Sequence, residues 1–252
     1  PSVAYPSYEM GATLAGCRAV PVAMTATGGL DLSSISEDDA GRALMIWMNS
    51  PSNPTGALDD MPSVVAWGRK HGVPVFSDEC YVEFTWQGEP HTALEHGLDG
   101  VIALHSLSKR SNLAGLRVGF YAGDAEIVHY LKEVRKHAGL MVPGPAQAAA
   151  VVALGDDDSV REQAKVYRRR LEYVARVLSA WSGVSIDLPA GGFYLWFDAQ
   201  DGWAFAERLA TEGGALVSPG DFYGAGGANN VRVAVVQPDA RLELMAKRLG
   251  LS

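Results

Sequence analysis

The sequence predicts an α/β fold, with a mainly parallel sheet flanked by helices and a smaller α+β unit after it. Three observations lead there. Apolar runs at 44–48, 73–76 and 101–104 each end in polar or turn-forming residues, the pattern of short strands buried on both faces. Helical periodicity fills stretches between and after them, at 64–71, 125–137, 146–154 and 160–181. Beyond Trp181 the pattern changes to short strand-like runs around Pro189-Ala190-Gly191-Gly192. The chain accordingly divides into a large unit, 1–150, and a smaller one, 151–252, both within the size range of folded domains.

Taken in order, Tyr5-Pro6-Ser7-Tyr8 leads into a helix at 9–14 with Gly16 as its stop. Residues 17–24 read as a strand and Gly28-Gly29 as a turn. The strand at 44–48 runs into Asn49-Ser50-Pro51-Ser52-Asn53-Pro54-Thr55-Gly56. Prolines on either side of Asn53 restrict its backbone and fix where its amide points. On the residues alone, an Asx-type turn before the helix at 64–71 explains the same stretch. The strand at 73–76 delivers Asp78-Glu79-Cys80-Tyr81. Ligands of parallel α/β sheets sit beyond the carboxyl ends of the strands, which is where Asp78 falls. Glu79 reads as a cap or a solvated loop residue.

The run 101–104 is the strand that feeds His105-Ser106-Leu107-Ser108-Lys109, and 118–121 is a further strand in which Gly119 permits close backbone approach. In the smaller unit, 184–186, 193–197, 215–217 and 231–236 read as strands, and 203–211 and 240–249 as helices. Arg168-Arg169-Arg170 reads as a solvated helix face. Arg232 is different, because it interrupts an apolar run. A buried guanidinium needs an anion beside it, either a core carboxylate or a ligand.

The chemistry gathers at 105–120. Hydroxyls of Ser106 and Ser108 with the guanidinium of Arg117 suit an oxyanion such as phosphate. Lys109 supplies an amine of the kind that forms imines with carbonyl compounds. A phosphate holder beside such a lysine is what pyridoxal 5'-phosphate requires.

The Ser-x-Ser-Lys segment with Arg117 downstream resembles the lysine segment of class I/II aminotransferases, the fold-type I pyridoxal-phosphate enzymes. The resemblance runs through Tyr5-Pro6-Ser7-Tyr8, Asn53-Pro54-Thr55-Gly56, Asp78-Glu79-Cys80-Tyr81 and Arg232, and so covers nearly the whole chain. The wording of 105–115 is most similar to actinobacterial N-succinyldiaminopimelate aminotransferases. What the resemblance implies is specific. Lys109 bonds the cofactor as an imine and then serves as general base and acid. Asp78 holds the pyridine nitrogen protonated, and Asn53 and Tyr81 reach the phenolic oxygen. Tyr5 lies over the ring, although alone it reads as a packing tyrosine in a turn. Ser106, Ser108 and Arg117 hold the phosphate, and Arg232, together with Asn53, binds the substrate carboxylate. For a distal succinyl group, Arg110 and Asn112 are the nearby candidates. The resemblance also implies a homodimer, and a chain truncated at its N-terminus, since relatives carry a sizeable portion before this point.

Composition narrows the partners. A formal net charge of −8 argues against nucleic acid, whose phosphates favour a basic surface. The two cysteines, Cys17 and Cys80, form no disulfide framework or zinc spacing, which fits a reducing, cytoplasmic setting. The most apolar region, 138–154, is broken by Pro143, Gly144 and Pro145 and is too short for a bilayer of about 30 Å. The expected reaction moves an amino group between an amino acid and a 2-oxo acid, with N-succinyl-2,6-diaminoheptanedioate and 2-oxoglutarate as the pair in lysine biosynthesis through diaminopimelate. Another aminotransferase, a carbon–sulfur β-lyase of the same fold, and a regulatory or inactive domain are the competing readings.

Overall fold

Three strands, β1 (Ile46–Asn49), β2 (Val75–Asp78) and β3 (Val101–Ser106), lie parallel, and β4 (Gly119–Gly123) closes the sheet antiparallel to β3. The computed structural model describes residues 1–251. Register pairs Asn49 with Asp78 and Asp78 with Leu104, so the polar ends of β1, β2 and β3 share one edge. β4 approaches so closely that a Cβ on Gly119 would meet the His105 carbonyl oxygen at 2.7 Å. Only glycine fits there.

Helices cover this sheet. α1 (Ser7–Leu14) and α2 (Glu37–Arg42) precede β1, and α3 (Met61–His71) links β1 to β2. Asp60 caps α3 by accepting from Ser63 N, and Gly72 ends it in the left-handed region. Val64 and Val65 of α3 pack with Val75 and Val101, all buried. α4 (Leu107–Arg110) follows β3 directly, α5 (Ala125–His137) follows β4, and α6 (Gly144–Leu154) packs Ala146 and Ala150 on Leu107 and Val118.

α7 (Asp157–Ser182) is the long helix of the second unit, capped by Asp156 at one end and Gly183 at the other. Its buried stripe, Tyr167, Leu171, Val174 and Leu178, faces β5 (Tyr194–Asp198) and its sheet. α8 (Gly202–Gly213), β6 (Ser218–Pro219), β7 (Asn230–Ala234) and α9 (Asp239–Arg248) complete it, with strand order β5-β7-β6, all antiparallel. Burying Leu171 and Leu178 contributes about 1.5–3 kcal/mol each. Residue 150 lies within α6, which packs against the first unit. We propose the division between the units at 155–156.

Three expected strands are not ladder strands. Residues 17–24 make one isolated bridge, Met24 to Leu30. Pro21 lacks an N–H and Cys17, Arg18 and Val20 face solvent, so no second strand lies beside them. At 184–186 the alternation holds, with Val184 and Ile186 on the core and Ser185 outside, but no strand pairs with it. The run 215–217 leads to a strand one step later, at β6, and Leu216 is exposed.

The two sheets meet through the loop after β1. Gly191 N donates to Gly56 O at 2.9 Å, and a Cβ on Gly56 (φ +70°) would fall 2.4 Å from Pro189 Cβ. This contact carries Asn53 toward the second sheet. Tyr81 and Phe84, from the loop after β2, pack inside the core of the second unit.

Candidate active site

β2 ends in Asp78, and three neighbours fix its carboxylate and backbone. Tyr8 Oη donates to Asp78 Oδ2 at 2.6 Å, and Cys80 N donates to Oδ1 at 3.1 Å. Asn49, buried at the end of β1, donates from Nδ2 to the Asp78 carbonyl at 2.8 Å and accepts from Asn53 N at 2.7 Å. One amide therefore sets the backbone positions of both Asp78 and Asn53. Tyr8 stacks on Trp47 at 4.9 Å between centroids. Burial first, and then the Asp78 carboxylate, push the Tyr8 phenol well above its usual range, so it remains a donor.

β3 ends in Ser106, whose Oγ accepts from Ser108 N at 3.2 Å and so starts α4. The turn delivers Lys109, half-buried and without a hydrogen bond or ion pair among the described residues. Burial and then Asp78 push the Cys80 thiol up, while the Lys109 ammonium acts in the opposite sense. The lysine charge is thus felt at the Asp78–Cys80 cluster. Arg117 follows the 3-10 turn Ala114–Leu116 with φ 55°, an uncommon conformation for a side chain of its size. It is exposed and donates to Ala114 O at 2.9 Å, not to Ser106 or Ser108.

Arg232 comes from β7. Its Nη1 donates to Asn53 Oδ1 at 2.8 Å, joining the two sheets across 179 residues of chain. Its guanidinium carbon lies 4.2 Å from the Tyr194 ring centroid and 4.9 Å from that of Tyr223. Arg232 Nε is buried with no partner, a donor direction left for an anion. Among the described residues no carboxylate pairs with it. Tyr81, buried, shares a 2.9 Å hydroxyl–hydroxyl bond with Tyr194. Tyr5 is 44% exposed and makes a T-shaped contact with Tyr8 at 6.1 Å.

Three expectations are corrected. Glu79 is not a solvated loop residue; it is fully buried and accepts from the first amide of the 3-10 turn Ala93–His96. Its Oε1 accepts from Ala93 N at 2.8 Å, and Oε2 stands 3.4 Å from His105 Nε2. Arg110 is occupied by the fold itself. Nε pairs with Glu83 at 3.2 Å, Nη1 donates to Ala153 O at 2.7 Å, and Nη2 pairs with Asp157. Asn112 is bound by Gln163 at 3.2 Å and Tyr167 Oη at 2.9 Å. Neither side chain is free for a succinyl group.

Sequence reasoning missed Tyr8, Asn49, Tyr194 and Tyr223. In sequence Tyr8 belongs to the motif that leads into a helix, and Asn49 to a run of turn formers. Tyr194 and Tyr223 carry no local signal, because their partners lie far along the chain.

A lysine and a carboxylate delivered by adjacent parallel strands, with an arginine brought across from a second sheet, is the layout of a fold-type I transferase. The family model of aminotransferases of class I and II matches residues 1–249, and the chain belongs to that family, whose members depend on pyridoxal 5'-phosphate. It is 41% identical over 257 residues to a probable aminotransferase of Mycobacterium tuberculosis, covering 99% of this chain and 59% of that protein. It is 40% identical over 260 residues to the 4-dedimethylamino-4-oxo-anhydrotetracycline transaminase of Streptomyces rimosus, covering 99% and 68%. Among solved structures, a probable N-succinyldiaminopimelate aminotransferase from Thermus thermophilus superposes with a TM-score of 0.86 at 34% identity, over 99% of this chain and 69% of that one. The chain thus spans about three fifths to two thirds of these relatives' lengths.

The residues present fit the family's cofactor. Among the described residues Lys109 is an amine without a partner, and Asp78 is a carboxylate held by two donors. No helix among the described residues is long and apolar enough to cross a membrane.

Proposed function

We propose that this chain carries the centre of a pyridoxal-phosphate aminotransferase, moving an amino group between an amino acid and a 2-oxo acid. The observation that carries the reading is Arg232, paired to Asn53 and stacked between tyrosines, with Nε unsatisfied. A planar guanidinium held this way offers two parallel N–H groups to a carboxylate.

Residue by residue, Arg232 and Asn53 orient the substrate by its α-carboxylate. Lys109 Nζ would hold the cofactor covalently in the resting state and, as a free amine, would serve as the general base for the substrate's α-carbon proton and then as a general acid. Pyridoxal 5'-phosphate, when bound, supplies the carbonyl that condenses with amines and a protonated ring that withdraws electrons from the α-carbon. Asp78, oriented by Tyr8 and Cys80 N, keeps the ring nitrogen protonated. Tyr81 and Asn53 hydrogen-bond the phenolic oxygen, Tyr5 covers the ring face, and Ser106, Ser108 and Arg117 take the phosphate. Arg117 Nη1 donates to Ala114 O, and its Nε and Nη2 remain to donate.

For substrate we propose N-succinyl-2,6-diaminoheptanedioate with 2-oxoglutarate, in lysine biosynthesis via diaminopimelate. The similarity to the Thermus protein supports this. The comparable similarity to the tetracycline-related transaminase keeps the reading open to other oxo acceptors. A cytoplasmic homodimer goes with the reading.

The test is a visible absorption spectrum of the chain with pyridoxal 5'-phosphate, before and after glutamate. A cofactor band that shifts on adding glutamate supports the reading. A band that ignores glutamate and every other amino donor overturns it. Release of pyruvate and ammonia without amine transfer to 2-oxoglutarate would assign the site to a β-lyase.

A further inference from the structure

Tyr194 touches both halves of the site through different atoms. It opens β5, whose register sets Trp196 opposite Arg232 and Tyr194 opposite Ala234, so Tyr194 and Arg232 are diagonal neighbours on one face. The Tyr194 ring lies under the guanidinium at 4.2 Å, and Tyr223 flanks it at 4.9 Å. A cation over an aromatic face is attracted to it, and two such rings confine the guanidinium. With Asn53 on Nη1, Nε is left buried and without a partner.

The hydroxyl of Tyr194 does something else. It lies 2.9 Å from Tyr81 Oη, and both phenols are buried. A phenol has one proton to donate and lone pairs to accept with. When Tyr194 donates to Tyr81, the Tyr81 proton is freed to point at a third group. The edge-on contacts of Tyr81 with Phe193 and Tyr194, at 5.3 and 5.6 Å, lock the ring so that only this proton can turn.

We propose that Tyr194 is a positioning residue that joins the two halves of the site. Its ring sets the plane of Arg232 for a substrate carboxylate, and its hydroxyl turns the Tyr81 proton toward the cofactor's phenolic oxygen. This rests on the roles proposed above for Arg232 and Tyr81. Because the two tasks use separate atoms, two substitutions separate them. Tyr194→Phe keeps the ring and deletes the hydroxyl; Tyr194→Leu deletes both.

The experiment uses the chain loaded with pyridoxal 5'-phosphate and reads two quantities. One is the affinity for 2-oxoglutarate by calorimetry. The other is the pH midpoint of the cofactor's visible band. Tyr194→Phe should lower affinity less than about threefold yet displace the midpoint, and Tyr194→Leu should in addition weaken 2-oxoglutarate about thirtyfold, the size of a desolvated cation–π contact. Tyr81→Phe should displace the midpoint as Tyr194→Phe does, with the double variant adding little. An unmoved midpoint in Tyr194→Phe, or unchanged affinity in Tyr194→Leu, overturns the inference. Unchanged affinity in Arg232→Gln, or an unmoved midpoint in Tyr81→Phe, instead overturns the underlying roles of those two residues.

Discussion

Tyr8 Oη donates to Asp78 Oδ2 at 2.6 Å, across 70 residues of chain. The phenol comes from the first helix and the carboxylate from the end of β2, so a terminal segment orients the acid at the sheet edge. A hydrogen bond to a charged acceptor contributes about 1.5–3 kcal/mol. Tyr8→Phe keeps the stack on Trp47 and removes that bond. The expected outcome is a ten- to hundredfold slower half-reaction with glutamate, read by stopped-flow absorbance. An unchanged rate would mean that Cys80 N alone suffices to hold Asp78.

Lys109→Ala should abolish both the cofactor's covalent attachment and transamination. Asp78→Ala should retain some cofactor and lose about a hundredfold or more in rate, since the ring nitrogen loses its counter-charge. Borohydride reduction followed by mass mapping checks the first, and single-turnover absorbance the second. A Lys109→Ala chain that transaminates at the parent rate would remove the lysine from the mechanism.

Much of this was legible from local pattern. Strand ends place Asp78 and Lys109, and an arginine inside an apolar run signals an anion partner wherever it occurs. What could not be read were contacts made across long separations. Glu79 looks like a loop acid until the Ala93 amide closes on it. Tyr194 looks like core until Arg232 and Tyr81 arrive on either side. The strand expected at 17–24 failed for the complementary reason: apolar pattern alone does not supply a neighbouring ladder.

Arg110 offers a sharper contrast between resemblance and geometry. Its guanidinium ties the helix that bears Lys109 to the end of α6, the start of α7 and Glu83. Removing it strands the Glu83 carboxylate, whose pKa burial raises, offset in part by its own backbone N–H and then by Arg110. Arg110→Ala should cost about 2–3 kcal/mol in urea unfolding. KM for a succinylated donor should move no more than KM for glutamate. A selective rise in KM for the succinylated donor would restore Arg110 as a specificity residue.

The buried phenols predict an alkaline limit on stability. Burial, first among the causes, raises the pKa of Tyr8, Tyr81 and Tyr194 above the usual value near 10. Above that value the unfolded chain gives up phenolic protons that the folded chain keeps. With fewer protons bound in the unfolded state, stability falls as pH rises. The contribution is fully present below about pH 9 and drains away from about pH 10 up to the raised folded pKa values, at up to about 1.4 kcal/mol per pH unit for each independent group. Tyr81 and Tyr194 share a bond and titrate as a pair. Urea midpoints measured from pH 8 to 11 should therefore fall beyond pH 10, and Tyr8→Phe should flatten the fall by about one group. A slope identical in the parent and in Tyr8→Phe would mean that the Tyr8 phenol ionises as readily in the fold as in the open chain.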